Sequence, residues 1–195
     1  EWLLELRLRG LEFWHQLSMP KWAPDISELA LDDILMYVET GNEMASSWDE
    51  VPTEIKETFD KLGIPEAEQE HLAGVGAQYD SEVIYHNLKE RIAKKGVIYL
   101  PMEEAIQLTK KKKEEVIAKY GVDVGGIVKE HFMKLISEKD HKFAALHAAV
   151  WSGGSFIYIP KRVSVEIPIQ SYYRLNAPGA GQFEHTLIVV DEGSD

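Results

Sequence analysis

From Val163 to Leu175 the chain alternates almost without a break. Val163, Val165, Ile167, Ile169, Ser171, Tyr173 and Leu175 hold the odd positions. Ser164, Glu166, Pro168, Gln170, Tyr172 and Arg174 hold the even ones. A period of two marks a strand with unlike faces. Pro168 has no N–H to give a ladder, so a bend, a bulge or an edge is expected there. The second half of residues 142–160 forms a compact aromatic and β-branched run, and the turn residues 176–181 lead into Thr186–Val190, which is apolar on both faces. That pattern predicts a strand covered on both sides. Three strands set off by turns argue an all-β architecture for this end of the chain, continuing past Asp195.

The other end is helical. On a 3.6-residue wheel Glu1, Glu5, Arg9, Glu12 and Gln16 form one narrow polar stripe. The remaining arc of residues 1–17 is mostly apolar, with Trp2, Leu6, Phe13 and Trp14 among its members, which predicts burial within the domain, a docking surface for another chain being the rival reading. Met19-Pro20 ends this helix, and residues 41–50 read as an exposed connection. Pro52 to Leu62 suits a helix capped by Gly63, with a further helix over 65–73. Gly74-Val75-Gly76 then reads as a break, and residues 79–88 fit strand or helix equally. Residues 87–95 read as helix, 96–101 as strand, 102–120 as one long helix ended by Gly121, and 127–138 as another. Asp140 is the expected N-cap of a helix over 142–150. Trp151 would plug the seam between that helix and the first strand, and Gly153-Gly154 would permit the turn. The division that follows is a helical region over 1–75, a mixed region over 76–140, and 141–195 as a capping helix and β core.

Composition narrows the chemistry. The 195 residues contain no cysteine, which excludes disulfides, thiolate metal sites and cysteine nucleophiles within them. The lack of disulfides fits a reducing compartment, and the expected location is cytoplasmic. A net charge of −12 makes nucleic acid a poor partner. No apolar run approaches a membrane span and none reads as a signal peptide. The chain starts at Glu1 and stops just after apolar strand residues, which suggests a piece of something longer.

The motifs are mostly ordinary. Gly74-Val75-Gly76 lacks the third glycine of a dinucleotide site, since Tyr79 stands there. Lys110–Lys113 reads as a solvated helix face. No two of the seven histidines are four apart, and HExxH and GxSxG are both absent. The residues by themselves give a helical and mixed N-terminal region leading into a β domain, with no catalytic constellation and no metal site.

Longer blocks carry a resemblance. GVGAQYDSEVIYHNLKE (74–90), KFAALHAAVWSGGSFIYIPK (142–161), VEIPIQSYYRLNA (165–177) and GQFEHTLIVVDEGS (181–194) resemble the B-subunit family of the SUF iron–sulfur cluster assembly scaffold (SufB). MPKWAPDISEL (19–29) resembles that family's entry segment, and YDSEVIYHN favours B over its D-subunit paralogue. The resemblance implies an α+β chain in which helices precede the start of a right-handed parallel β-helix, with 142–150 and Trp151 as its end cap. It implies a non-enzymatic scaffold that works with the D subunit and an ABC-type ATPase (SufC). An iron–sulfur cluster is then expected in the complete complex and none on these residues, because the family's essential cysteines would lie beyond Asp195. Residues 102–140 match less well and read as a helical insertion. Arg174 and Asn176 fall on the family's arginine and asparagine, which line a polar path inside the β-helix. Alternation puts both on the face of Glu166 and Gln170, where the plain alternative is contact with solvent. The rival readings are a carbohydrate-binding or carbohydrate-active β-helix protein and a purely structural D-type subunit.

Overall fold

The computed structural model describes residues 1–41, 44–45, 47–61 and 74–195, leaving aside the side chain of Ile84. Among the described residues, seven α-helices and two three-stranded sheets form a mixed α+β body. The helices are α1 (Trp2–Gln16), α2 (Thr53–Lys61), α3 (Glu90–Ala93), α4 (Met102–Leu108), α5 (Lys113–Tyr120), α6 (Val124–His131) and α7 (Lys142–Val150). The strands are β1 (Gly74–Tyr79), β2 (Glu82–Leu88), β3 (Ile98–Pro101), β4 (Ser155–Ile159), β5 (Ile169–Arg174) and β6 (Leu187–Val190).

One sheet has the order β2-β1-β5 and the other β3-β4-β6. In each, an antiparallel pair is joined by a parallel partner from later in the chain: β1 with β5, and β4 with β6. The chain therefore leaves the second sheet after β4, adds β5 to the first, and returns to lay β6 beside β4. Residues 76–140 and 141–195, divided in the sequence reading, share both sheets.

The large core lies under the helices. Met102, Ala105, Ile106, Val116, Val124, Val128 and Phe132 pack with Trp151, Phe156 and Leu187. A second core covers the outer face of β1 and β5, where Val51, Ile55 and Phe59 meet Val75, Ala77 and Tyr85.

α1 lies along α7 with a cation at each junction. Lys142 Nζ donates to the carbonyls of Trp14 and Leu17 at the end of α1. Arg7 donates to those of Ala149 and Trp151 at the end of α7, at 2.8 and 2.7 Å. Both satisfy carbonyls that a helix end leaves unpaired. Only one flank of α1 finds this partner, with Gly10 buried against it, so the expected burial of the apolar arc holds for Leu6 but not for Leu4, Leu8 and Leu11, which stay exposed.

Several other elements depart from the sequence reading. Gly74-Val75-Gly76 is strand, not a break: a Cβ at either glycine would meet the Tyr99 ring system, so these glycines admit a facing side chain. Residues 74–88 form a hairpin turning at Asp80 and Ser81. The helix expected over 87–95 shrinks to the single turn of α3. The helix expected over 102–120 is two, α4 and α5. Its lysine run lies at the break, and Thr109 Oγ1 donates to the Ile106 carbonyl, a side-chain bond that competes with helix continuation. α6 starts early because the Asp123 side chain accepts from Gly126 N, and it stops before Met133, whose φ is +53°. The cap of α7 is His141, whose Nδ1 accepts from Ala144 N at 3.1 Å, rather than Asp140.

In the alternating stretch, only the residues after Pro168 join a ladder. Val163, Val165 and Ile167 instead pack on Ile92 and Val97. Nor is β6 covered on both sides, because Ile188 and Val190 face outward on the edge strand. The three late strands divide between two sheets instead of forming an all-β unit of their own. The helix expected over 65–73 and the cap at Gly63 lie outside the described residues.

Gly10 is the tightest point of the α1–α7 contact. A Cβ there would stand 2.8 Å from Ala145 O and Ala149 N, which are both backbone atoms. Gly10→Val should therefore lower stability by about 1–3 kcal/mol, read as an earlier midpoint in urea. An unchanged midpoint would mean that α1 is not seated on α7 through Gly10.

Candidate functional site

The space between the two sheets is polar. The facing residues are Gly76 and Gln78 from β1, Tyr99 from β3, Ser155 from β4, and Ser171 and Tyr173 from β5. Tyr99 OH lies 2.6 Å from Ser171 Oγ, which lies 3.3 Å from Ser155 Oγ. Ser155 Oγ is 3.4 Å from Tyr173 OH, and Tyr173 OH is 2.9 Å from Thr186 Oγ1. This row of hydroxyls runs from buried Tyr99 to exposed Thr186. Hydroxyls both donate and accept, so such a row can hand protons along or solvate a polar guest. His86 packs edge-on against Tyr99 with ring centroids 4.1 Å apart, and its Nε2 is buried without a partner among the described residues.

Gln78, only 1% exposed, fixes the gap. Its Oε1 accepts from Gly154 N at 2.8 Å, and its Nε2 donates to the Asp80 carbonyl at 3.0 Å. Gly153 and Gly154 have φ of +71° and +92°. A Cβ on the first would run into the Gln78 amide, and a Cβ on the second into the His185 backbone. The turn after Trp151 therefore needs glycine for its dihedrals and for its neighbours.

Asp80 ties the β1–β2 hairpin to the end of β5. Its backbone N donates to the Arg174 carbonyl at 2.7 Å. Its Oδ1 accepts from Asn176 N at 2.6 Å and Ala177 N at 2.9 Å. The structure thus joins Arg174 and Asn176 through their backbones. Arg174 pairs with Tyr79 in the parallel register, on the face of β5 shared with Tyr172, which packs on Phe59. That face is opposite the one carrying Ser171 and Tyr173. Arg174 Nε is buried with no hydrogen-bond partner among the described residues, and the Asn176 residue is exposed.

A second cluster lies where α7 enters β4. Trp151 is 2% exposed and packs edge-on against Phe132 with centroids 5.1 Å apart, under the Arg7 guanidinium at 4.8 Å. It fills the seam as its position in sequence suggests. Gly153 N donates to the Glu103 carboxylate. His147 Nε2 and His185 Nδ1 are 3.0 Å apart. A cleft of about 740 Å³ opens alongside, bordered by Arg7, Tyr37, Glu82, Glu103 and Ser152.

Sequence reasoning overlooked the hydroxyl row and the histidine pair. The row left a trace, since Ser171 and Tyr173 interrupt an otherwise apolar parity. The histidine pair left none, because its members come from segments far apart in the chain. Among the described residues, no group of three or more His, Asp or Glu could hold a metal ion, and no helix is long and apolar enough to cross a membrane.

The architecture defines a class: a mixed α+β protein in which two sheets are threaded by parallel returns around a hydroxyl-lined interior. No protein-family model matches the chain. It is 49% identical over 194 residues to a Staphylococcus aureus protein named as an iron-sulfur cluster assembly SufBD family protein, and equally to one from Staphylococcus haemolyticus. The similarity takes in 100% of this chain, which spans 38% of the length of these curated relatives.

Burial holds the His86 imidazole neutral, with a pKa of about 4. Burial, and then the charge of His147, do the same for His185. In the unfolded chain both return to the ordinary value near 6.5. Between pH 6.5 and 4 the unfolded state therefore binds more protons, and stability falls as pH drops through that window. The loss should be on the order of 2 kcal/mol for each ring, allowing for solvent screening. His185→Gln should flatten the acid limb of a plot of urea midpoint against pH. A variant profile as steep as the parent's would assign that limb to other groups.

Proposed function

We propose that this chain is the N-terminal portion of a SufBD family protein and serves as a scaffold subunit in iron–sulfur cluster assembly. The observation that carries the reading is 49% identity across the whole chain to proteins of that name. The threading supports it. Laying β6 beside β4 in parallel after visiting the opposite sheet is the path that one circuit of a solenoid would take, and parallel crossovers are almost always right-handed. The proposed continuation is the right-handed parallel β-helix that the resemblance implies, capped by α7 and Trp151.

In this reading the protein is not an enzyme. It acts in the cytoplasm with a D-type subunit and the ABC-type ATPase, and the nascent cluster is cargo of the complete complex. These residues offer no thiolate, the ligand on which such clusters chiefly depend. The resemblance of residues 79–87 favours the B type; in a D-type subunit the same body would be structural.

Through the resemblance, Arg174 is the residue of this segment proposed for a role in the polar path, although it lies on the face of β5 away from the hydroxyl row. Its Nε is a buried donor without a partner among the described residues, and a guanidinium with a free donor can hold an anionic sulfur species. In the complete protein, Arg174→Ala should reduce cluster assembly in cells several-fold while complex formation and the urea midpoint stay close to the parent's. Full assembly by a folded variant would make Arg174 a surface residue and nothing more. A separate expectation concerns these 195 residues alone: anaerobic reconstitution with iron and sulfide should yield no stable visible chromophore. A stoichiometric one would place cluster ligands within this segment.

A further inference from the structure

α1 shows solvent two parallel ridges of different chemistry. On the helical wheel Leu4, Leu8 and Leu11 fall in one line that His15 extends, and Glu1, Glu5 and Glu12 form the line beside it. The three leucines are 59%, 57% and 46% exposed, although Leu6 and Gly10 on the opposite flank are buried against α7. With His15 the line has the 4-3-4 spacing of a seam between two helices.

The acidic ridge is not neutralised from within. Among the described residues Glu1, Glu5 and Glu12 make no ion pair, and of the two arginines on α1, Arg9 is bound to Glu138 at 3.2 Å. Arg7 is turned away to the carbonyls of Ala149 and Trp151. The ridge thus adds locally to a chain whose net charge is −12.

We propose that this face of α1 docks an amphipathic helix from a partner protein whose apolar ridge is flanked by lysine or arginine. The leucines supply the seam, and the glutamates select the basic flank. A second copy of this chain fits poorly. An antiparallel pair would set Glu5 and Glu12 beside their own counterparts, and a parallel pair would set them against a flank whose arginine is held by α7. The same acids repel nucleic acid and anionic membranes. α1 is about 22 Å long and supplies only part of the roughly 1,000 Å² that a stable interface needs, so docking through it alone is weak and reversible.

The test uses a synthetic three-heptad peptide with leucine at its seam positions and lysine beside them. Its two controls carry glutamine or glutamate in place of lysine. Titrated into the intact protein and followed by fluorescence anisotropy, the lysine peptide should bind with Kd in the micromolar range. The glutamine peptide should bind about tenfold more weakly and the glutamate peptide undetectably. Leu8→Ser keeps every charge and alters an exposed position, so the fold should persist by circular dichroism while binding weakens about tenfold. Glu5→Gln combined with Glu12→Gln should erase the preference for lysine over glutamine. Three results would overturn the proposal. Equal binding by Leu8→Ser would reduce the effect to general charge attraction. A dimer in sedimentation that Leu8→Ser abolishes would assign the face to a second copy. Failure of a maleimide to label Leu8→Cys in the folded intact protein would show that the rest of its own chain covers the ridge.

Discussion

The side-chain amide of Gln78 sets the distance between the two sheets, and most of the molecule is arranged around that distance. It accepts from Gly154 at the mouth of β4 and donates to the carbonyl of Asp80 at the end of its own hairpin. A buried amide that lost either bond would carry an unpaired polar group at a cost of about 1–3 kcal/mol. If the sheets separate, the bonds break. If they approach, Gly153 and Gly154 have no space left to yield. The hydroxyl row depends on this spacing, because Tyr99, Ser155 and Ser171 reach one another only across a gap of fixed width.

The protein thus has two kinds of interior. Under the helices it is apolar and close-packed, with Met102, Val124 and Phe156 fully enclosed. Between the sheets it is lined by hydroxyls, an amide and an imidazole. The first holds the body together through non-directional burial, and the second fixes a particular register through directional bonds. Trp151 stands at the border, with its ring in the apolar core and the glycine turn beside it leading into the polar gap.

The outline was legible where a signal is local. The period of α1, the compact run of β4, the turn after Trp151 and the bend at Pro168 all follow from residues close together in sequence. Glycine misled at Gly74 and Gly76, because its missing Cβ serves a neighbouring strand's tyrosine rather than a turn. The long helix expected over 102–120 failed for a reason written in its own residues, the lysine run and Thr109. The strand pairing could not be read from the pattern, since parallel partners meet only after the chain has visited the other sheet. The same holds for the site. Arg174 and Asn176 were named through resemblance, but that Asp80 joins them is a fact of three dimensions.

The threading also bears on the order in which a nascent chain can acquire shape. β1 and β2 form a local hairpin as soon as they emerge, but β1 gains its second neighbour only when β5 arrives, and β4 only when β6 does. α1 waits for α7, which comes well over a hundred residues later. Until then α1 carries both of its apolar flanks uncovered. α1, made long before its partner, therefore needs shelter during synthesis, while β4, β5 and β6 each settle against an edge that already exists.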